Sequence, residues 1–199
     1  NNGQVRLYYT GWRLDRHAPY RHAIGTAVSH NHKLERESES PIIDSTEKNN
    51  YIANSPYMLT HDRMLYCKGK SWCGDFATYG ISEATRALNG HWEDGSSIFG
   101  LPGEANSRPC VLHGISSNLI LSAFRTKTTG YRIRMFDGGK LVNDDVLPVS
   151  LTGWDSQMVC YPQTIHTPDG ILLFYNGNNY GETGIGVAEL QHTTPYKSL

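Results

Sequence analysis

Short apolar runs separated by polar, glycine-rich turns recur along the chain, and three of them share one pattern. Each of the three places a proline ahead of a mostly apolar run, at Pro56, Pro109 and Pro162. The intervals from 56 to 109 and from 109 to 162 are both 53 residues. A fixed spacing of this size is the sequence signature of a repeat architecture. The chain is therefore predicted to consist of repeated units.

Within each unit the apolar runs and turns predict several short strands. A proline run is followed by a polar turn and a second run, then by a third run with Tyr or Gly beside Ile, and then by a shorter fourth run. The second runs are residues 64–66, 118–124 and 171–175, the third runs are 79–82, 131–135 and 184–188, and the fourth runs lie near 91–93 and 141–149. About four strands per 50 residues, without amphipathic helices between them, predict an all-β protein, a β-propeller of four-stranded blades.

One segment has a competing helical interpretation. Residues 81–90 contain Ser82 as a candidate N-cap and end at Gly90, a helix terminator. The repeat places a third strand at this point. We therefore predict a strand followed by a loop.

The start of the chain fits the template only in part. Residues 5–12, 23–29 and 34–36 match the second to fourth strands of a unit, and the first strand is missing. The expected single domain, 1–199, then comprises a partial blade at 1–50 and blades at 51–103, 104–153 and 154–199. This makes about 14 strands, or about three and a half blades, whereas a five-bladed propeller has about 20 strands. Because open strand edges pair with other chains, we expect a homo-oligomer, or a missing N-terminal segment, to cover them.

Charge and hydropathy exclude two kinds of partner. Lys and Arg number 18 against 19 Asp and Glu, a formal net charge of −1. Without a basic field the chain is not predicted to bind nucleic acid. The longest apolar runs, such as residues 171–175, are far shorter than the roughly 20 residues of a membrane-spanning helix, so no membrane partner is expected.

The four cysteines are too few for a disulfide scaffold. Cys67 and Cys73 are separated by five residues, which is not the CxxC spacing of zinc or redox sites. We expect inert core thiols in a reducing compartment, the cytoplasm, and neither a metal nor a cofactor.

Two stretches carry a resemblance to a known family. Residues 153–162 read Gly-Trp-Asp-Ser-Gln-Met-Val-Cys-Tyr-Pro, and residues 173–186 read Leu-Phe-Tyr-Asn-Gly-Asn-Asn-Tyr-Gly-Glu-Thr-Gly-Ile-Gly. They resemble the five-bladed β-propeller glycosidase superfamily of arabinanases, fructosidases and mannoside phosphorylases. The sequence looks most similar to a glycosidase-like branch associated with bacterial polysaccharide biosynthesis. The resemblance implies a five-bladed fold that acts on a glycan as a hydrolase or a phosphorylase.

The resemblance also implies a carbohydrate site at the mouth of the central axis, where the innermost strands begin. The proline runs would be those strands, so the residues just before each proline are expected to point into the site. Amides, carboxylates, an arginine fork and aromatic faces suit sugar hydroxyls and ring faces. The expected substrate-binding residues are Asn54, with Ser55 beside it, Asn106, Arg108 and Tyr161, and the expected catalytic residues are Glu104 and Asp155, with Gln157 at a position where the family has an acid.

The chain departs from its relatives in the groups that do the chemistry. Glycoside cleavage normally needs two carboxyl groups, and a carboxamide such as Gln157 cannot donate and regain a proton. The other family carboxylate is expected on a first blade that this sequence lacks. A second hypothesis is therefore a non-catalytic glycan-binding or interaction propeller that kept the fold.

Several of these residues also have a structural interpretation. Glu104 is equally explained as an exposed loop acid, Asp155 as a turn cap, and Arg108 as a tether between blades. Asn176 and Asn178 flank Gly177 and are interpreted as turn formers rather than ligands.

Overall fold

The computed structural model describes residues 4–31, 33–113 and 115–190. It is nearly all β and contains several sheets, as predicted. The strands are β1 (Arg6–Arg13), β2 (Arg21–His30), β3 (Lys33–Arg36), β4 (Ala53–Met58), β5 (Arg63–Cys73), β6 (Phe76–Arg86), β7 (Trp92–Phe99), β8 (Ala105–Val111), β9 (Leu119–Arg125), β10 (Arg132–Asp137), β11 (Lys140–Asn143), β12 (Cys160–Thr167), β13 (Gly170–Asn176) and β14 (Ile185–Leu190). A 3₁₀ turn at Glu47–Asn49 and a one-turn helix, α1 (Asn178–Gly181), are the helical elements of these described ranges.

The described residues divide into two compact units. The first lies within Asn1–Pro109 and Arg125–Lys127, and the second within Cys110–Phe124 and Thr128–Leu199. β8 begins in the first unit, where Ala105 pairs with Tyr79 of β6 in parallel, and it ends in the second.

The first unit contains two antiparallel groups of strands. β1, β2 and β3 pair in that order, with Tyr9 opposite Gly25 and Arg13 opposite Arg21. β4, β5, β6 and β7 pair consecutively in chain order. Ile24, Met64 and Tyr66 are fully buried. These three side chains form a core cluster together with Ile43, Ala53 and Ala84. Each large side chain buried in this way contributes about 1.5–3 kcal/mol.

The segment with the competing helical interpretation is a strand, which confirms the prediction. β6 runs to Arg86, and its antiparallel pairing with β5 continues as far as Thr85. Ala84 is fully buried in the core, whereas Glu83, on the opposite face, accepts a hydrogen bond of 2.6 Å from Arg63. The chain then turns at Gly90, which has a φ of 87°.

The fourth strands differ in length from the prediction. β7 extends from Trp92 to Phe99, well beyond residues 91–93. β11 ends at Asn143 rather than near residue 149. The reason lies in the side chains that follow it, because Asp144 leaves the sheet to form an ion pair with Arg134 of β10.

The second unit contains the end of β8, the group β9 to β11, and a three-stranded group in the order β12, β13, β14. α1 interrupts the connection between β13 and β14. Two of its residues, Asn179 and Tyr180, have left-handed backbone conformations with φ of 51° and 62°. The sequence predicted only a turn at this position.

The three proline strands, β4, β8 and β12, share an unusual backbone feature. The residue before each proline has a positive φ, 54° at Ser55, 51° at Arg108 and 58° at Tyr161. In β4 and β12 the pairing register also shifts around this point. A non-glycine residue in this region is strained, and such strain concentrates where a structure holds functional groups.

The cysteine prediction is wrong at one position. All four cysteines are free thiols, and Cys67, Cys110 and Cys160 are buried as expected. Cys73 is exposed, because it lies at the end of β5 next to the turn residue Gly74. Within the described residues, no helix is long and apolar enough to cross a membrane.

Candidate functional site

In the first unit, His22, Asn54 and Ser55 form a hydrogen-bonded chain. The Ser55 hydroxyl donates to Asn54 Oδ1 at 2.8 Å, and Asn54 Nδ2 lies 2.8 Å from His22 Nδ1. Since the amide oxygen is taken by Ser55, the amide nitrogen is the donor to the histidine. The left-handed backbone of Ser55 is held by its N–H, which donates to Thr10 Oγ1 at 3.0 Å.

The surroundings of His22 keep its ring neutral. Burial lowers the pKa of His22 to about 4, because the charged ring would lose hydration that nothing replaces. With Nδ1 accepting from Asn54, the ring proton resides on Nε2, which bonds to nothing in the described part of the chain. Tyr20 lies beside the ring, with centroids 5.0 Å apart, and Trp72 meets Tyr20 edge-on at 4.9 Å. The group presents an N–H donor next to aromatic faces.

Arg108 and Ser55 approach each other around a buried thiol. Burial raises the pKa of Cys67 to about 11, while a Ser55 hydrogen bond and the Arg108 backbone and charge act in the opposite direction. Three residues from β4, β5 and β8 thus meet at one point, and Cys67 stays a neutral thiol. The Arg108 residue itself is exposed. The structure therefore brings together three of the residues expected before the prolines: Asn54, Ser55 and Arg108.

Glu104 and Asn106 are buried rather than exposed. Glu104 is 9% exposed, and its carbonyl accepts a 3.2 Å hydrogen bond from the Tyr79 N–H, so it is not the solvent-exposed loop acid of the alternative interpretation. Asn106 is fully buried, and neither its Oδ1 nor its Nδ2 has a hydrogen-bond partner in the described residues. An unsatisfied buried amide costs about 1–3 kcal/mol, which a bound water or polar ligand group would recover.

In the second unit, Asp155 is held by Tyr175. The carboxylate is 6% exposed and accepts a 3.0 Å hydrogen bond from the Tyr175 hydroxyl. Burial and this bond raise the pKa of Tyr175. The contact joins a turn to β13, and Asp155 acts here as a partner of Tyr175 rather than as a cap of its own turn.

Trp154 explains the glycines of the second resembling stretch. Its ring stacks on Tyr175 with centroids 5.6 Å apart. A Cβ on Gly177 would lie 2.4 Å from this ring, and one on Gly186 would lie 2.6 Å from it. The glycines therefore make room for the indole, which is a packing role.

Gln157 has an exposed side chain and a fixed backbone. Its N–H donates to Asn178 Oδ1 at 2.8 Å, and its carbonyl accepts from Arg132 at 2.9 Å. Asn178 also donates to the Gly153 carbonyl at 3.1 Å. Asn176 donates to the Tyr180 carbonyl at 2.8 Å. These contacts agree with the interpretation of Asn176 and Asn178 as turn formers.

Tyr161 belongs to an aromatic cluster that the sequence did not predict. Its ring is stacked with Tyr180 at 6.3 Å and tilted against Tyr131 at 5.8 Å. Tyr131 is buried, whereas Tyr180 is 49% exposed. Both Tyr161 and Tyr180 have left-handed backbones, and they belong to separate elements, β12 and α1. The partly exposed pair offers an aromatic face of the kind that sugars stack against.

Sequence reasoning did not predict His22, Tyr20 and Trp72 of the first cluster as site residues. It also missed Tyr131 and Tyr180 of the second cluster. Each lies outside the proline runs on which the prediction was based. In the part of the chain that the structure describes, no group of three or more His, Cys, Asp or Glu side chains is placed to hold a metal ion.

Comparison with known proteins identifies a family for this chain. The uncharacterized protein MT1551 of Mycobacterium tuberculosis (strain CDC 1551 / Oshkosh) is 30% identical over 207 residues, covering 96% of this chain and 69% of that protein. The chain belongs to the family of this mycobacterial protein. No family model matches the sequence.

Two solved structures share the fold at low identity. A glycosyl hydrolase from Bacteroides ovatus has a TM-score of 0.60 and 16% identity, covering 98% of this chain and 66% of its own. The β-1,2-mannobiose phosphorylase from Listeria innocua has a TM-score of 0.64 and 16% identity, covering 89% of this chain and 52% of its own. This chain thus spans just under two thirds of the hydrolase and about half of the phosphorylase. These likenesses show that the chain shares its fold with a glycosyl hydrolase and a phosphorylase structure.

Proposed function

We propose that the protein acts on a glycan, as a glycoside hydrolase or phosphorylase, through residues clustered around its proline strands. The observation that carries the proposal is the chain from Ser55 through Asn54 to His22. It assigns Nδ1 of His22 as an acceptor and leaves an unpartnered imidazole N–H beside Tyr20. Fixed donors next to aromatic faces are the groups that orient a sugar in a binding site.

The proposed architecture is a five-bladed propeller in which β4, β8 and β12 are the innermost strands of successive blades with a 53-residue repeat. The shared left-handed residue before each proline supports this equivalence. It also explains why the candidate residues precede the prolines, because the backbone reversal at Ser55, Arg108 and Tyr161 redirects their side chains.

The predicted acidic positions support glycan binding by this chain more strongly than they support proton transfer to a glycan. Asp155 is buried under the Tyr175 hydroxyl, and Gln157 replaces an acid with an amide. Glu104 is then the remaining candidate acid among those predicted. Loss of a proton donor typically costs about 10²- to 10⁴-fold in rate.

The alternative is a non-catalytic glycan-binding or interaction propeller. The exposed Gln157 side chain favours it, since a carboxamide still donates to and accepts from sugar hydroxyls. Under this alternative the protein binds a glycan that it does not cleave.

Turnover of aryl glycosides, measured with and without phosphate, distinguishes the two functions. We expect weak turnover that increases in the variant Gln157→Glu, and phosphate dependence would identify a phosphorylase. Gln163→Glu is the matched control, because Gln163 is also an exposed glutamine, on β12. No turnover by any variant, together with binding in a parallel glycan screen, would support the non-catalytic alternative. Absence of both turnover and binding would overturn the proposal.

The open strand edges support a proposed homo-oligomer. β1 and β14 each pair on one side within their sheets, and Val5, Ile185 and Val187 are 63%, 71% and 57% exposed. An apolar edge of this kind is a template for pairing with another strand. We expect a dimer or larger species in sedimentation equilibrium, and a monomer at all concentrations would contradict this. A cytoplasmic location remains part of the same proposal.

A further inference from the structure

The first unit contains a cavity of about 520 Å³ on one face of its β1–β2–β3 sheet. The floor is made of small residues, because Gly11, Ala23 and Gly25 project no bulk into it. A Cβ on Gly11 would meet only one atom within 4 Å, the Ala23 carbonyl oxygen at 3.8 Å. None of the candidate residues before the prolines lines this cavity. It is therefore a different site from the one considered above.

Arginines line one face of this cavity in an arrangement that has an electrostatic cost. Arg13 and Arg21 are directly opposite each other on β1 and β2, and like charges in that position repel. Arg36 of β3 is a third lining arginine. Asp15 lies 3.2 Å from Arg21 and offsets one of these charges. No described acid lies within ion-pair distance of Arg13 or Arg36, although Asp15 also acts on Arg13 through its charge. Arg36 is opposite Ala27, six positions along β2 from Arg21, so about 20 Å of strand separates it from Arg13. One anionic group can therefore contact only one of these two guanidinium groups.

The loop at residues 38–45, which also lines the cavity, supplies carboxylates and hydroxyl groups. Glu39 and Asp44 are exposed carboxylates there, with Ser38 and Ser40 between and beside them. Ser45 is only 2% exposed, and its Oγ has no partner in the described residues. A buried hydroxyl without a partner costs free energy that a ligand group can recover. Carboxylates and hydroxyls suit the hydroxyl groups of a ligand rather than its charge.

Aromatic surface completes the lining. The Tyr9 ring lies over Gly25, since a Cβ there would be 2.6 Å from Tyr9 Cζ. Trp12 lines the cavity and is 62% exposed, with its ring 6.2 Å from that of Tyr20. Flat apolar faces of this kind pack against the C–H faces of a sugar ring.

We propose that this cavity binds a saccharide that carries one anionic group, a carboxylate or a phosphate, at Arg13. A guanidinium group binds either anion through paired hydrogen bonds. The site therefore predicts a negatively charged group, and the titration below decides between a carboxylate and a phosphate. The saccharide part rests on the proposed function. The anion part rests on Arg13, which lines the cavity and forms no ion pair in the described residues.

Calorimetric titration in low salt tests the proposal with four probes: glucuronate, glucose 6-phosphate, glucose and inorganic phosphate. We expect one of the two anionic sugars to bind more tightly than glucose and phosphate. Arg13→Gln should weaken that binding at least about tenfold while leaving the melting temperature unchanged or higher, because it also removes the repulsion with Arg21. The matched control Lys140→Gln, an exposed residue of the second unit, removes the same charge and should bind as the parent does.

A second variant tests the location without changing the charge. Gly11→Val places a side chain in the cavity and should abolish binding. Binding of phosphate as tight as that of the sugar phosphate would overturn the saccharide part, and binding by no probe, or binding unaffected by Arg13→Gln, would overturn the whole. Arg13-dependent binding in a protein that fails the aryl-glycoside and glycan assays would refute the proposed function and leave this proposal standing.

Discussion

His22→Gln is expected to change how stability depends on pH. Glutamine keeps an acceptor for Asn54 Nδ2 but cannot titrate. In the parent protein the folded ring is hard to protonate, because burial lowers the pKa of His22 from 6.5 to about 4. The unfolded chain takes up that proton first. Stability is therefore complete above about pH 6.5 and is lost as the pH falls from there toward 4.

The size of the effect follows from the shift and the exposure of the ring. Each pKa unit corresponds to about 1.4 kcal/mol, so a shift of about 2.5 units sets an upper bound of roughly 3.4 kcal/mol. The ring is only partly buried, and solvent screening reduces this figure. We expect His22 to account for about 1–2 kcal/mol of stability lost between pH 7.5 and 4.5.

Urea unfolding at pH 7.5 and at pH 4.5 measures this contribution. The difference in free energy of unfolding between parent and His22→Gln should shift by about 1–2 kcal/mol in favour of the variant at the lower pH. Carboxylates that titrate in this range are the same in both proteins and cancel. His61→Gln is the control, because the His61 side chain is 90% exposed. Equal pH dependence in the parent and His22→Gln would refute the account of a neutral, buried imidazole.

Three further predictions concern packing and thiol reactivity. Tyr175→Phe removes the donor to buried Asp155 and should lower the free energy of unfolding by about 1–3 kcal/mol in urea, and an unchanged value would contradict the contact. Gly69→Ala would place a Cβ 2.3 Å from the Asn49 carbonyl and should cost about 1–3 kcal/mol by thermal melting, whereas Gly11→Ala, the control, should cost little. Native protein should expose one reactive thiol, Cys73, to a disulfide reagent, and more than one would contradict the buried positions of the others.

The sequence predicted the β character of the fold because that information is local. Apolar runs bounded by turns locate strands wherever neighbouring strands bury them, as at Ala84 of β6. The residue before each of Pro56, Pro109 and Pro162 has a positive φ, a feature that the sequence did not predict. The end of β11 was not predicted correctly. The strand stops just before Asp144, which forms an ion pair with Arg134, and the hydrophobic pattern of a sequence does not indicate such a pair.

The candidate site was predicted only in part, and the missing members are those held by distant contacts. His22 reaches Asn54 across 32 positions of the chain. Tyr180 stacks on Tyr161 from α1, a helix with two left-handed residues where the sequence predicted only a turn. Asn106 was predicted as a binding residue, but the sequence did not indicate that its amide would be fully buried and unpartnered in the described residues. Residue type identifies groups that can bind a sugar, whereas tertiary packing decides which of them are oriented.

A glycan-binding screen tests the proposal that the protein recognises a glycan through the residues around its proline strands. Saturation-transfer NMR with a panel of oligosaccharides should detect at least one ligand for the parent protein. Asn54→Ala should lose that binding, because it breaks the bond to His22 and frees the Ser55 hydroxyl, while Asn118→Ala, at an exposed asparagine, should retain it. A folded parent protein that binds no member of the panel, or an Asn54→Ala variant that binds as the parent does, would contradict the account.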